Sequence, residues 1–181
     1  GVITTTMISC DSSGRLEIRD IEKSIRPNTK LIVCTHASNV IGAVLPVEKI
    51  SELAWKNDLL FLLDAAQTAG SIPLDLQEIK PHLAAFTGHK GLLGPPGVGL
   101  LYVHKGVKLK PWREGGTGSR SEEERQPEIM PDYLEAGTMN TPGLAGLNEG
   151  LKFIEEIGIS SIAEHESNLA GKLREGLREI K

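Results

Sequence analysis

Lys90 stands in the run Ala85-Phe86-Thr87-Gly88-His89-Lys90-Gly91-Leu92-Leu93-Gly94-Pro95-Pro96-Gly97-Val98-Gly99, where an apolar approach delivers a hydroxyl, an imidazole and an amine in quick succession. A primary amine so placed can condense with an aldehyde to a Schiff base, while the neighbouring hydroxyl and imidazole are suited to holding a phosphate. A single loop lysine is ordinarily a solvated cation, so the weight of Lys90 depends on its company. Upstream, Leu59-Leu60-Phe61-Leu62-Leu63 is apolar throughout and ends on Asp64-Ala65-Ala66-Gln67. That pattern predicts a buried parallel strand with a carboxylate at its carboxyl end, where open α/β sheets bind ligands. Asp64 there could keep a pyridine-type nitrogen protonated, or it could cap a helix. Further upstream, Lys30-Leu31-Ile32-Val33-Cys34 runs into the polar loop Thr35-His36-Ala37-Ser38-Asn39-Val40-Ile41-Gly42. Three successive strand-to-loop junctions thus carry Asn39, then Asp64 and Gln67, then His89 and Lys90.

The elements that must position these groups can be read from periodicity and breakers. Residues 3–8 read as a strand, 11–14 as a turn, and 17–25 as a helix stopped by Pro27. A strand over 31–34 follows, then a helix over 47–57 with Val47, Ile50, Leu53 and Ala54 at helical spacing. Next come a strand over 59–63, a helical turn over 76–79, a strand over 83–86 and a returning strand over 97–103. Helices are expected over 144–157 and 161–180. The alternation predicts an α/β fold, a mostly parallel sheet with helices on both faces.

Composition narrows the function classes. The chain has 181 residues, 39% of them hydrophobic and 24% charged, and a net charge of -4. Without a concentrated basic face, neither nucleic acid nor an anionic membrane is an expected partner. No apolar run approaches the ~18 residues of a membrane span, and Gly1-Val2-Ile3 lacks the basic start of a signal peptide, so a cytoplasmic protein is expected. Cys10 and Cys34 have no metal or redox spacing, and Cys34 at the end of an apolar strand reads as a packed thiol. The segment Gly94-Pro95-Pro96-Gly97-Val98-Gly99 is no nucleotide loop, because its prolines remove donors and no helix follows. Residues 119–126 read as a mobile surface loop, whereas Gly115-Gly116-Thr117 could contact an anion through backbone amides.

In order, Thr-His-x-Ser-Asn-Val-x-Gly, Asp-Ala-Ala-Gln, Thr-Gly-His-Lys-Gly and Glu135-Ala136-Gly137-Thr138-Met139-Asn140-Thr141-Pro142 resemble the motifs of the class V aminotransferases, which are fold type I pyridoxal-phosphate enzymes. The resemblance covers nearly the whole chain and is closest to the cysteine desulfurase and selenocysteine lyase branch. It implies that Lys90 is catalytic and carries pyridoxal 5′-phosphate as a Schiff base, that Asp64 pairs with the pyridine nitrogen, and that Gln67 hydrogen-bonds the phenolic oxygen. It further implies that Thr87 and His89 hold the phosphate, that Asn39 lies near the phenolic oxygen and substrate, and that Gly137 and Thr138 reach the phosphate of a neighbouring subunit in a homodimer.

Residues 1–140 would then be part of the large cofactor-binding domain, with an active-site loop over 111–140, and residues 141–181 would be helices leading toward a small domain. An amino-terminal phosphate turn, a ring stacking on the cofactor, a substrate-binding arginine and a nucleophilic cysteine are further family features that find no match here. The chain accordingly reads as an internal fragment, itself inactive. Its parent is expected to turn a cysteine-like amino acid into alanine plus an enzyme persulfide, with a sulfur-acceptor protein as a further partner. A small-amino-acid transaminase of the same class and a catalytically silent scaffold fragment are the competing expectations.

Overall fold

The computed structural model describes residues 3–116, 118–120 and 122–180. Four strands form one sheet in the order β1 (Leu31–Thr35), β2 (Leu60–Asp64), β3 (Leu83–Thr87) and β4 (Gly99–Val103). The first three are parallel and β4 returns antiparallel to β3. The chain is therefore α/β with a mostly parallel sheet, as its alternation of apolar runs and helical segments predicts.

The core lies where α1 (Ile18–Ser24), α2 (Val47–Lys56) and α3 (Leu76–Ile79) meet the sheet. Along α2, Val47, Ile50, Leu53 and Ala54 fall on one stripe and are all buried. They join Phe61, Leu63 and Ala84, which point inward from alternate positions of β2 and β3, together with Ile21 of α1 and Ile79 of α3. Each fully buried large side chain of this set contributes about 1.5–3 kcal/mol. Asp75 caps α3 by accepting from the Gln77 amide at 2.7 Å, which marks the start of even this one-turn helix. On the opposite sheet face Leu31, Val33 and Leu101 remain exposed, Val33 at 62%.

Several elements differ from the sequence expectation. Residues 3–8 form no strand: no ladder partner meets them among the described residues, and Ile3 and Met7 are each 90% exposed. Their β-branched content alone cannot create a strand, because strand stability comes from cross-strand packing and pairing. The returning strand starts at Gly99, since Gly97 adopts φ +84° and serves the preceding turn. The remaining helices are α4 (Thr141–Ile157) and α5 (Ile159–Glu179). The first starts earlier than its apolar periodicity indicates, because Asn140 accepts from the Gly143 amide at 3.1 Å and Pro142 occupies the first turn.

Candidate active site

Parallel strands end on one edge of a sheet, so β1, β2 and β3 deliver Thr35, Asp64 and Thr87 to the same side, where β4 begins with Gly99. The loops that leave this edge enclose a cavity of about 370 Å³, within the ~300–1,000 Å³ of small-molecule sites. Asn39 from the first loop, Asp64 and Gln67 from the second and Lys90 from the third all line it, with Thr35, Ala37, Ser38 and Ala66 between them. An amine, a carboxylate, two carboxamides and two hydroxyls thus share one hollow, brought from three junctions far apart in the sequence.

Local hydrogen bonds fix each loop. The Ser38 hydroxyl accepts from the amides of Val40 and Ile41 at 3.2 and 3.3 Å, and the Ser38 amide donates to the Ala43 carbonyl at 2.9 Å. Asn39 therefore sits on a closed turn. Asp64 Oδ1 accepts from the Ala66 amide at 3.0 Å. Residues 65–71 form turns with no helix, so the helix-capping reading of Asp64 is replaced by a tight carboxylate-stabilised turn.

The lysine loop is pinned from both ends. Gly88 donates to the Val98 carbonyl at 2.9 Å, Gly94 to the Gly88 carbonyl at 2.7 Å and Leu93 to the Lys90 carbonyl at 2.9 Å. Leu93 takes φ +60° to complete this turn. Backbone contact with the Gln67 turn is close: a Cβ on Gly70 would come 2.1 Å from the Gly91 carbonyl oxygen. On the far side, a Cβ on Gly150 of α4 would come 2.6 Å from the Leu92 carbonyl oxygen. Glycines on both sides let the loop that bears Lys90 lie between its neighbours.

Thr87 Oγ1 and His89 Nδ1 are hydrogen-bonded to each other at 2.8 Å and are not among the cavity-lining residues. Gly137 and Thr138 lie on an exposed stretch, where the Gly137 amide donates to the Gly116 carbonyl at 2.8 Å. Neither reaches this chain's cavity. Thr117 and Ser121 lie outside the described residues. What sequence reasoning missed in this region is Gln126, whose amide donates to the carbonyls of Asp132 and Glu135 at 2.6 and 2.7 Å while its oxygen accepts from the Gly115 amide. Its partners are 6 to 11 residues away with no periodic signal to announce them.

Outside the cavity lining lie a histidine–threonine pair with no sequence assignment and Cys34, which the sequence reads as a packed thiol. His36 Nδ1 and Thr68 Oγ1 meet at 2.9 Å, both side chains buried. Burial holds the His36 imidazole below its ordinary pKa against the opposing pull of Glu48. Cys34 is half-buried and donates to the Thr35 carbonyl at 3.1 Å. Burial, with a smaller contribution from Cys10, pushes its thiol up to about 11. Among the described residues no three His, Cys, Asp or Glu side chains cluster as metal ligands, and no helix is long and apolar enough to cross a membrane.

Comparison with known proteins adds a second line of observation. The family model Aminotransferase class-V matches residues 2–181. A probable cysteine desulfurase of Pyrococcus abyssi is 37% identical over 180 residues, 96% of this chain and 44% of that protein. A cysteine desulfurase of Escherichia coli is 36% identical over 90% of this chain and 41% of its own length. The apo structure of cysteine desulfurase from Thermococcus onnurineus NA1 superposes with a TM-score of 0.81 at 31% identity, over 96% of this chain and 44% of that one. A structure of SspA in complex with cysteine matches 77% of this chain and 37% of its own, with a TM-score of 0.65 at 32% identity. The chain thus spans under half the length of the relatives it matches.

Proposed function

The chain belongs to the class V aminotransferase family, and from that premise we propose that it is the central part of a pyridoxal 5′-phosphate-dependent cysteine desulfurase, which turns cysteine into alanine and leaves the sulfur as an enzyme persulfide. The observation that carries this reading is the convergence of Asn39, Asp64, Gln67 and Lys90 on one cavity. Its donor set suits the cofactor: an amine for the aldehyde, a carboxylate for the ring nitrogen and carboxamides for the phenolic oxygen.

When bound, pyridoxal phosphate supplies an electron-withdrawing ring that stabilises negative charge at the substrate Cα. Lys90 Nζ would anchor the cofactor aldehyde, and its free amine would take and return the proton at the substrate Cα. The Asp64 carboxylate would keep the ring nitrogen protonated through a charge-assisted hydrogen bond, and its own bond to the Ala66 amide holds it in orientation. Gln67 and Asn39 offer N–H donors to the phenolic oxygen. Thr87 and His89, already paired with each other, would hold the phosphate, while Gly137 and Thr138 would serve the site of the other subunit of a homodimer. A thiolate from outside these residues would attack the substrate sulfur, forming the S–S bond of a persulfide as the substrate Cβ–S bond breaks and the carbon, protonated at Cβ, leaves as alanine; the outer sulfur would then pass to an acceptor protein.

In this reading residues 1–140 are part of the large domain, with 111–140 as its active-site loop, and 141–181 lead toward the small domain of a cytoplasmic enzyme. The decisive experiment measures sulfide and alanine formed from cysteine, with an excess thiol reductant present to release the persulfide sulfur as sulfide, by the full-length protein and its Lys90→Ala variant. Equal amounts of the two products, lost together in the variant, are expected. Amino transfer to a keto acid without sulfide would instead identify a transaminase, and neither activity in a protein that leaves pyridoxal phosphate unbound would leave a scaffold.

A further inference from the structure

We infer that His36 and Thr68 are a positioning pair that sets the Asn39 loop against the Gln67 turn, an inference that rests on the cofactor site proposed for these loops. His36 is the first residue after β1, and it makes three connections at once. Its amide donates to the Asp64 carbonyl at 2.8 Å, its carbonyl accepts from the Leu45 amide at 2.8 Å, and its Nδ1 lies 2.9 Å from Thr68 Oγ1. The second bond closes the loop that bears Asn39, and the first ties that loop to the strand end bearing Asp64. The third reaches the turn that bears Gln67, one residue before Thr68.

Alternation along the chain explains why the pair stands behind the cavity rather than in it. Thr35 and Ala37 line the hollow and His36 between them faces the interior; Gln67 lines it and Thr68 does not. The two side chains are 5% and 2% exposed, so neither can find a water in place of the other without the wall opening. Thr68 is itself rooted: its amide donates to the Ala65 carbonyl at 3.1 Å, and its carbonyl accepts from the amides of Ser71 and Ile72. Thirty-two residues separate the partners, and theirs is the only side-chain to side-chain hydrogen bond between these two loops among the described residues. Groups of this kind, one step behind a ligand, orient the ligand and commonly change affinity by ~10–100-fold when removed.

The test uses the full-length protein, titrated with pyridoxal 5′-phosphate and followed by visible absorbance, with thermal unfolding of the unloaded protein measured in parallel. Thr68→Val removes the hydroxyl at nearly constant shape, and Thr68→Ser keeps it. The pair predicts that Thr68→Val binds the cofactor roughly tenfold or more weakly and shifts its absorption maximum, and that Thr68→Ser returns both to wild type. Wild-type affinity and spectrum in Thr68→Val, or an equal defect in Thr68→Ser, would overturn the pairing. Should Thr68→Val not fold, His36→Asn and His36→Leu decide. Asn keeps a polar atom near the position of Nδ1 and is expected to bind tighter than Leu, and equal loss in both overturns the proposal. A wild-type protein that takes up no cofactor would instead overturn the function proposed above, so the two failures are separable.

Discussion

Gly70 and Gly91 touch backbone to backbone, joining the turn that follows Gln67 to the residue that follows Lys90. No side chain fits between them: a Cβ on Gly70 would come 2.1 Å from the Gly91 carbonyl oxygen, and one on Gly91 would come 2.5 Å from the Ala69 carbonyl oxygen. Gly70 also holds φ +88°, so Gly70→Ala adds backbone strain to the clash. That variant is expected to lose about 2–4 kcal/mol of stability and to displace Lys90 from Asp64 and Gln67. Urea unfolding and cofactor absorbance of the full-length protein measure the two effects, and an Ala variant with wild-type values in both would show that the contact is dispensable.

Lys90 is expected to be the lysine that captures pyridoxal phosphate. Borohydride reduction of the loaded full-length protein followed by peptide mapping should place the pyridoxyl group on Lys90. A label on Lys105 or Lys108, which lie beyond β4, would remove Lys90 from its proposed role.

Asp64→Asn separates the charge from the turn. The carboxamide oxygen can still accept from the Ala66 amide, as Asp64 Oδ1 does at 3.0 Å, so folding should change little. The charge-assisted bond to the ring nitrogen, about 1.5–3 kcal/mol for such a pair, disappears, and turnover should fall by orders of magnitude. Unchanged turnover would reduce Asp64 to a turn-forming residue.

Neither Cys10 nor Cys34 is expected to accept the substrate sulfur. With its thiol pushed up to about 11, Cys34 presents roughly one thiolate in ten thousand at neutral pH. Cys10 is exposed on the segment before α1 and is not among the residues that line the cavity. Changing both to Ser in the full-length protein should leave sulfide release from cysteine largely intact; loss of the persulfide with cofactor still bound would place the nucleophile in this segment.

Two buried imidazoles are expected to make the fold acid-sensitive. Burial lowers the pKa of His82, helped by the neighbouring His104 charge and opposed by Asp58, and burial likewise lowers that of His36. His82 Nδ1 accepts from the Phe61 amide at 3.2 Å and its ring stacks on Trp55 at 4.1 Å, so the neutral form with the proton on Nε2 is the one the fold uses. Because both folded-state values lie below the ordinary ~6.5 of the unfolded chain, this contribution to stability is full above about pH 6.5 and is lost as pH falls through the folded-state values. The urea midpoint should drop between pH 7.5 and pH 5, with a smaller drop in a His82→Phe variant. Identical pH dependence in that variant would clear His82.

What the sequence by itself determined is the set of junctions. Each of β1, β2 and β3 is a short apolar run followed at once by polar residues, and because parallel strands must end on the same edge, Asn39, Asp64, Gln67 and Lys90 are gathered by local pattern and topology alone. Family resemblance could be read for the same reason, since its motifs are contiguous strings at those junctions. Tertiary structure decided what no string carries. The residues 3–8 look like a strand, but a strand exists only with a partner, and none meets them among the described residues. The Gly70–Gly91 contact, the His36–Thr68 bond and the reach of Gln126 to Asp132 and Glu135 depend on how loops stack once the sheet has set their spacing. Close approach and hydrogen-bond complementarity between segments are properties of distance in space, and a period of 2 or 3.6 along the chain cannot encode them.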